Sequence, residues 1–376
     1  MIRNALLLCA IILTAACFAC VQAPPPPGGP SPVKALSVTC SDGSAFLDHV
    51  KFVQNGFTPS VTLSAPPPGT GTPIDPNSNY AQNLQNAFSL APSRFQDRLC
   101  GLNGSSLKGI YVNGPVNCTS FDDCFGNSWG YRVWPSQETY IAISAGLWNG
   151  TCLDGSSPYG YHCYETDVLN AVLGWPNPPP TNPPRPQYSS ANPDTFDMVI
   201  LAALAHEVGH VRWFEVITPT APGISGYDPN TFLCTSNPGT PSFFSYSWKQ
   251  SVQRPPPWRL FLTREKRKNG FGALDLHLLA PQIKDIDKAI DQGHLPAALI
   301  DLEKLYQRAQ PWASYFGAIA PDEDFVEMYK FYVLTSAQLT NLPITINGVS
   351  HDIPNDYLSG YKQNLYNKAQ CIGPWI

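Results

Sequence analysis

The segment HEVGH at residues 206–210 constrains this chain more than any other part of its sequence. On a helix His206 and His210 lie on one face, about 5–6 Å apart, and two imidazoles at this spacing can bind one zinc ion. Glu207 stands beside them, where a carboxylate can act as a general base. If the segment is helical, it is therefore a candidate catalytic metal centre.

The residues around HEVGH have the pattern of a helix over 194–214. Asn192-Pro193-Asp194 supplies a capping residue and a proline near the first turn. Apolar residues recur at helical spacing on one face, and they are Phe196, Val199, Ile200, Ala203, Leu204, Val208 and Val211. The pattern alone leaves one alternative open, in which hydrogen bonds satisfy both histidines on an ordinary core helix.

The order of the other elements predicts an α+β fold. Residues 33–145 have the composition of short strands and loops, with strands predicted at 109–112 and 139–144 and a helix at 78–90. Three further helices are predicted near the C-terminus, at 278–293, 296–309 and 322–339. Irregular connections rich in proline and glycine are predicted at 175–186 and 218–260. This order predicts a strand-rich N-terminal lobe and a helical C-terminal lobe, with the HEVGH helix between them and a cleft between the lobes.

The N-terminal residues predict export. A basic start is followed by an apolar run that ends at Cys20, so residues 1–20 predict a secretory signal that is too short to span a bilayer permanently. Leu13-Thr14-Ala15-Ala16-Cys17 resembles a bacterial lipobox, and Cys20 is a poorer candidate for lipidation. The proline-rich residues 21–33 predict an extended tether, and residues 34–376 the functional domain. We expect a secreted or cell-envelope protein, with a lipid anchor to a membrane as one possibility.

The cysteines agree with an exported protein. Eight of the 11 cysteines follow the predicted signal, and an even number in an exported chain predicts up to four disulfides. Their spacing suggests Cys118–Cys124 and Cys152–Cys163 as local loops and leaves the remaining pairing open. CxxC spacing is absent, so a thiolate zinc site is not expected.

Charge argues against one class of partner. The net charge is −5 and charged residues make up 14% of the chain. Nucleic acid binding normally needs a basic surface, so no nucleic acid partner is expected. The basic run at residues 264–268 is most simply a solvated loop or helix end.

Two histidines leave a catalytic zinc ion short of one protein ligand. The metzincin pattern would place glycine at position 213 and histidine or aspartate at 216, but Trp213 and Val216 stand there. Glu215 lies round the same helix rather than across the metal. A carboxylate from a later helix remains, and the segment after Pro321 offers Glu323, Asp324 and Glu327.

HEVGH and the later segment EDFVE at 323–327 together make the chain resemble the gluzincin zinc metallopeptidases. The sequence motif EDFxE is similar to the motif of anthrax-lethal-factor-like and related bacterial secreted peptidases. The resemblance covers about 206–210 and 315–329. It implies a zincin-like domain, Zn²⁺ as cofactor and Glu323 as the third ligand. It further implies that Glu327 accepts a hydrogen bond from a ligand histidine, with Asp324 as the competing carboxylate. Tyr315 is the candidate donor to the oxyanion of the reaction.

These observations predict an exported metalloendopeptidase that hydrolyses peptide bonds of a protein or peptide substrate, with Glu207 as general base. The alternatives are a zinc hydrolase of a non-protein amide such as a peptidoglycan cross-link, and a non-catalytic anchored binding protein on a zincin fold. Residues 141–144 are a candidate edge strand that pairs with an extended substrate. His277 is predicted to be structural, and His49, His162, His294 and His351 have no metal-binding spacing.

Overall fold

A computed structural model of the chain describes residues 43–57, 71–101, 105–114, 128–133, 136–152, 158–176, 179–216, 242–248 and 280–376. All of them belong to one unit, Ala35–Ile376. The predicted signal and tether, the basic run, His277 and most of the connection at 218–260 lie outside the described residues. Among the helices of the described residues, none combines the length and the apolar character needed to cross a membrane.

A five-stranded sheet occupies the first half of the described chain. Its strands are β1 (Val50–Val53), β2 (Thr72–Pro73), β3 (Leu107–Asn113), β4 (Trp129–Arg132) and β5 (Thr139–Ser144). They lie in the order β2-β1-β3-β5-β4. The three inner strands are parallel, and each outer strand is antiparallel to its neighbour. The strands predicted at 109–112 and 139–144 are confirmed as parts of β3 and β5.

The expectation that residues 141–144 form the edge strand is wrong. β5 lies between β3 and β4, and all six of its residues are buried. An apolar run of this kind is typical of an internal strand covered on both faces, which the sequence alone does not distinguish from an edge strand. The edge of the sheet on this side is β4.

Ten α-helices lie in the described residues: α1 (Gly43–Leu47), α2 (Asn79–Leu90), α3 (Ser93–Leu99), α4 (Tyr161–Leu173), α5 (Phe196–Val216), α6 (Pro281–Asp291), α7 (Leu295–Tyr306), α8 (Pro321–Ser336), α9 (Ile353–Leu358) and α10 (Gln363–Ile372). The helices predicted at 78–90, at 194–214 and at three C-terminal positions are confirmed as α2, α5 and α6 to α8. The sequence pattern did not predict α1, α3, α4, α9 or α10. A hairpin of β6 (Pro343–Ile346) and β7 (Val349–Asp352) also lies in the predicted helical lobe.

The fold is thus a mixed α and β structure, and the expected division into a strand-rich and a helical lobe holds only in part. Helices α2 to α4 lie within the strand-rich half of the chain. Helix α5 lies at the centre of the core, where residues 198–205 are at most 4% exposed. A helix buried on all sides is expected to be apolar all round, which explains why its apolar residues extend beyond the predicted face.

The start of α5 differs from the prediction. Thr195, not the preceding Asn-Pro-Asp segment, caps the helix, because its hydroxyl accepts a hydrogen bond from the N–H of Met198 at 3.2 Å. Asp194 instead accepts a hydrogen bond from the N–H of His162 at 3.1 Å, in the first turn of α4. Asp194 therefore joins the beginnings of two helices, α4 and α5.

Candidate metal centre

Three side chains from two helices converge at one point. His206 and His210 project from α5, and Glu323 projects from the first turn of α8. The Nε2 atoms of His206 and His210 each lie 3.8 Å from a different carboxylate oxygen of Glu323. One potential ligand atom of each residue lies within 4.8 Å of the other two. The expected proximity of Glu323 to both imidazoles is therefore present, and the group could hold a metal ion.

The donor atoms of this cluster suit a cation. Glu323 is 4% exposed, and its Oε2 atom accepts no hydrogen bond from any described residue. A buried carboxylate oxygen without a hydrogen bond is costly, and a bound cation would satisfy it. Burial first, and then the negative charges of Asp322, Glu327 and Glu207, raise the pKa of Glu323 well above its usual value. A metal ion at this point would offset both effects.

The two imidazoles are prepared to act as ligands. Burial lowers the pKa of His210 well below its ordinary value, and the neighbouring His206 lowers it further, so that ring is neutral at pH 7. The ring of His206 stacks on the ring of Phe316, with an angle of 10° between their planes and 5.4 Å between their centres. A neutral imidazole held in one orientation is the form that binds a metal ion.

Glu327 approaches His206 from the side away from Glu323. Its Oε1 atom lies 2.9 Å from His206 Nδ1, while its Oε2 atom accepts a hydrogen bond of 2.5 Å from the Ser314 hydroxyl and lies 2.9 Å from Lys330 Nζ. Burial would raise the pKa of Glu327, but Lys330 and these hydrogen bonds outweigh it and lower the pKa to about 2. An ionised Glu327 accepts a hydrogen bond from the Nδ1–H of His206, which leaves Nε2 unprotonated and able to bind a metal ion.

Glu207 lies on α5 beside the cluster and is 6% exposed. Burial raises its pKa well above the usual value for a glutamate. The edge strand β4 passes directly over the backbone of this residue: a β-carbon added to Gly130 would lie 2.5 Å from the Glu207 carbonyl oxygen. Glycine at position 130 thus allows β4 to lie against the HEVGH helix.

The other candidates that the sequence offered are two carboxylates, Asp324 and Glu215, and the tyrosine Tyr315. Asp324, the competing carboxylate, is bound by Lys368 and by Trp248, whose indole N–H donates a hydrogen bond of 3.0 Å, and Glu215 is bound by Arg98 and Arg212. Both carboxylates are therefore committed to ion pairs rather than to the cluster. Tyr315 is 1% exposed and immediately precedes Phe316, which stacks on His206. Its role as an oxyanion donor stays a prediction.

A second group of potential ligands, Cys152, His162 and Cys163, lies near the start of α4. Cys152 and Cys163 form a disulfide, as the spacing suggested, so their sulfur atoms are not thiolates. His162 Nδ1 lies 2.5 Å from Asp194 Oδ2. Cys100 and Cys371 are disulfide-bonded as well, which accounts for all four cysteines of the described residues. The disulfides agree with an extracellular location.

Sequence reasoning missed several residues of this site. Ser314, Phe316, Lys330 and Glu165 surround Glu327 and His206, yet none belongs to a recognised motif. Only Lys330 had a possible signal, because it lies three residues after Glu327 on the same helix face. Glu165 comes from α4, far away in the sequence, and only the folded chain brings it here.

Comparison of the chain with protein-family models, with curated proteins and with solved structures found no match to any of them. The case for a function therefore depends on the residues themselves and on the geometry of the cluster.

Proposed function

We propose that this protein is an exported, zincin-like metalloendopeptidase that binds Zn²⁺ through His206, His210 and Glu323. One observation carries the proposal: two imidazole Nε2 atoms and a buried carboxylate with an unsatisfied oxygen converge beside Glu207. Two histidines and a glutamate are a common ligand set of catalytic zinc, which leaves a coordination position for the reaction. A purely structural pair of histidines would not explain why Glu323 lacks a hydrogen-bond donor at Oε2.

When bound, a zinc ion supplies a Lewis acid that polarises a carbonyl group and lowers the pKa of water. Glu207 then accepts the proton of the attacking water and delivers it to the leaving amine. Burial raises the pKa of Glu207 above the usual value for a glutamate and so increases its affinity for the proton of the water. We retain Tyr315 as the proposed donor to the oxyanion.

The substrate we propose is a protein or peptide in an extended conformation. β4 is one of the two edge strands of the sheet, and among the described strands it pairs with β5 alone. It lies against α5 at Glu207. A peptide could add to its other edge through backbone hydrogen bonds. This assignment replaces residues 141–144, which lie inside the sheet.

The export signal at 1–20 and a lipid anchor at Cys17 remain parts of this proposal. The disulfides support export, since such bonds persist in oxidising compartments. Metabolic labelling with a fatty acid, compared between wild type and Cys17→Ala, tests the anchor. A label that is equal in both would contradict lipidation at this position.

The proposed function is tested by metal content and hydrolysis together. Purified protein is analysed by mass spectrometry for bound metal and is incubated with a fluorescently labelled, unfolded protein, with and without a chelator. We expect about one zinc per chain and cleavage that the chelator abolishes and added zinc restores. Bound zinc with cleavage of peptidoglycan alone would favour the non-protein amide hydrolase. Bound zinc with no hydrolysis of either substrate would favour the non-catalytic binding protein. Absence of a metal site would overturn the proposal.

A further inference from the structure

Behind the proposed ligands lies a row of buried charged groups that the proposed mechanism does not use. Lys330 Nζ lies 2.9 Å from Glu327 Oε2 and 2.9 Å from Glu165 Oε1. The side chains of Glu165, Lys330 and Glu327 are at most 5% exposed. A lysine in the interior normally requires such carboxylate partners, since its charge is costly to bury.

We propose that Lys330 and Glu165 are positioning residues of the metal centre, which hold Glu327 against His206 so that His206 Nε2 faces the metal. This inference rests on the proposed function, because it concerns the same metal. It adds two residues, neither of which touches the ligands, and assigns them an effect on metal affinity.

The hydrogen bonds of Glu327 show how the positioning works. Its Oε2 atom is held by two donors, Ser314 and Lys330, so the carboxylate cannot turn freely. Its Oε1 atom is thereby left to accept from His206 Nδ1 at 2.9 Å. Groups that orient a ligand histidine in this way commonly change metal affinity by about 10- to 100-fold when they are removed.

Lys330 is itself fixed from a distant part of the chain. Glu165, on α4, accepts a hydrogen bond of 2.9 Å from the ammonium group. The start of α4 is held by the Cys152–Cys163 disulfide and by Asp194, which accepts from the N–H of His162. The position of Lys330 therefore depends on α4 as well as on its own helix.

A structural role alone is the competing explanation, and α8 contains a matched control. Asp324 of α8 and Lys368 of α10 form a second buried ion pair, with side chains that are 1% and 0% exposed. This pair binds Trp248 and the Pro311 carbonyl rather than Glu327 or His206. Both pairs should contribute to stability, but only the pair with Lys330 should affect the metal.

The test measures zinc affinity by competition with a chromogenic chelator in wild type, Lys330→Met, Glu165→Gln and Lys368→Met, with thermal unfolding of each metal-free protein recorded in parallel. We expect Lys330→Met and Glu165→Gln to weaken zinc binding about 10- to 100-fold. Lys368→Met should lower the unfolding temperature as Lys330→Met does, yet stay within about threefold of wild-type affinity. Glu165→Gln, which keeps the shape of the side chain, provides the result if Lys330→Met does not fold.

A double variant separates positioning from charge. Glu165→Gln with Lys330→Met removes one negative and one positive charge, so the net charge of the buried group is unchanged. If Lys330 acts through position, this variant should recover stability relative to Lys330→Met but still bind zinc weakly. Recovery of wild-type affinity would show that net charge alone matters and would overturn the inference.

Two further outcomes are decisive. Wild-type affinity in folded Lys330→Met and Glu165→Gln, or an equal loss in Lys368→Met, would overturn the positioning role while leaving the proposed function intact. A wild-type protein that binds no zinc would overturn both proposals. The two failures are therefore distinguishable in one set of measurements.

Discussion

The backbone of Val326 on α8 lies directly against Gly209, the fourth residue of HEVGH. A β-carbon at position 209 would lie 3.1 Å from Val326 Cγ1, 3.2 Å from its Cα and 3.3 Å from its carbonyl oxygen. Glycine at this position therefore lets α5 and α8 approach closely. This contact brings Glu323, three residues before Val326, within reach of both histidines.

The close approach predicts the effect of Gly209→Ala. The added methyl group should push α8 away from α5, lower stability by about 1–3 kcal/mol and weaken zinc binding. Adding Val326→Ala should restore only part of the loss, because two of the three crowded atoms belong to the backbone. Thermal unfolding and zinc titration of both variants check this. Wild-type zinc affinity in Gly209→Ala would mean that the spacing of the helices does not control the site.

Glu207→Gln should separate catalysis from metal binding. The ligands are unchanged, so zinc content should remain at the wild-type level, while loss of the proton acceptor should reduce hydrolysis by about 100- to 10 000-fold. Cleavage of a labelled unfolded protein and metal analysis of the same sample provide both readings. Activity within tenfold of wild type would remove Glu207 from the role of base.

The same substitution should stabilise the metal-free protein in a pH-dependent manner. Because burial raises the pKa of Glu207 in the folded state, its contribution to stability is fully present below about pH 4.5 and is lost as pH rises through the folded-state pKa. Glutamine does not ionise and avoids this loss. In chelator, the free energy of unfolding of Glu207→Gln should therefore exceed that of wild type, and the difference should grow as pH rises above about 4.5. At neutral pH we expect it to reach about 0.5–2 kcal/mol. A difference that is constant between pH 4 and 8 would contradict the burial argument.

Glu323 and Asp324 are adjacent but should behave differently. Glu323→Ala should lose zinc, because it removes the carboxylate nearest to both histidines. Asp324→Ala should largely keep zinc but destabilise the fold by about 3–5 kcal/mol, because it leaves the buried Lys368 without its partner. Metal content after dialysis, together with denaturant unfolding, distinguishes the two. Loss of zinc from Asp324→Ala alone would reverse the assignment.

The cysteines predict a thiol count. The eight cysteines that follow the predicted signal should give no more than one free thiol in the unfolded, unreduced protein, since all four that the structure describes are disulfide-bonded. A chromogenic thiol reagent in denaturant measures this directly. Four or more free thiols would contradict the argument for export.

Local patterns were sufficient for the elements whose signal lies within a few residues. The helical period of α5, α6, α7 and α8 and the apolar runs of β3 and β5 predicted these elements close to their observed positions. The period failed to predict α4, which begins within the loop closed by the Cys152–Cys163 disulfide, and did not show that β5 is internal. Whether an apolar strand has one neighbour or two depends on its pairing with strands that are distant in the sequence. Local sequence patterns do not show that pairing.

The sequence by itself determined the candidate chemistry, because HEVGH places two imidazoles and a carboxylate on one helix through helical spacing alone. It also indicated Glu323 and Glu327 as acids one turn apart on a later helix. Only the tertiary structure decided that Glu323 faces both histidines, that Asp324 faces Lys368, and that Glu165 and Lys330 stand behind Glu327. The physical reason is that each of these contacts joins elements separated by many residues, so packing at Gly209 and the burial of paired charges select them, and local spacing does not.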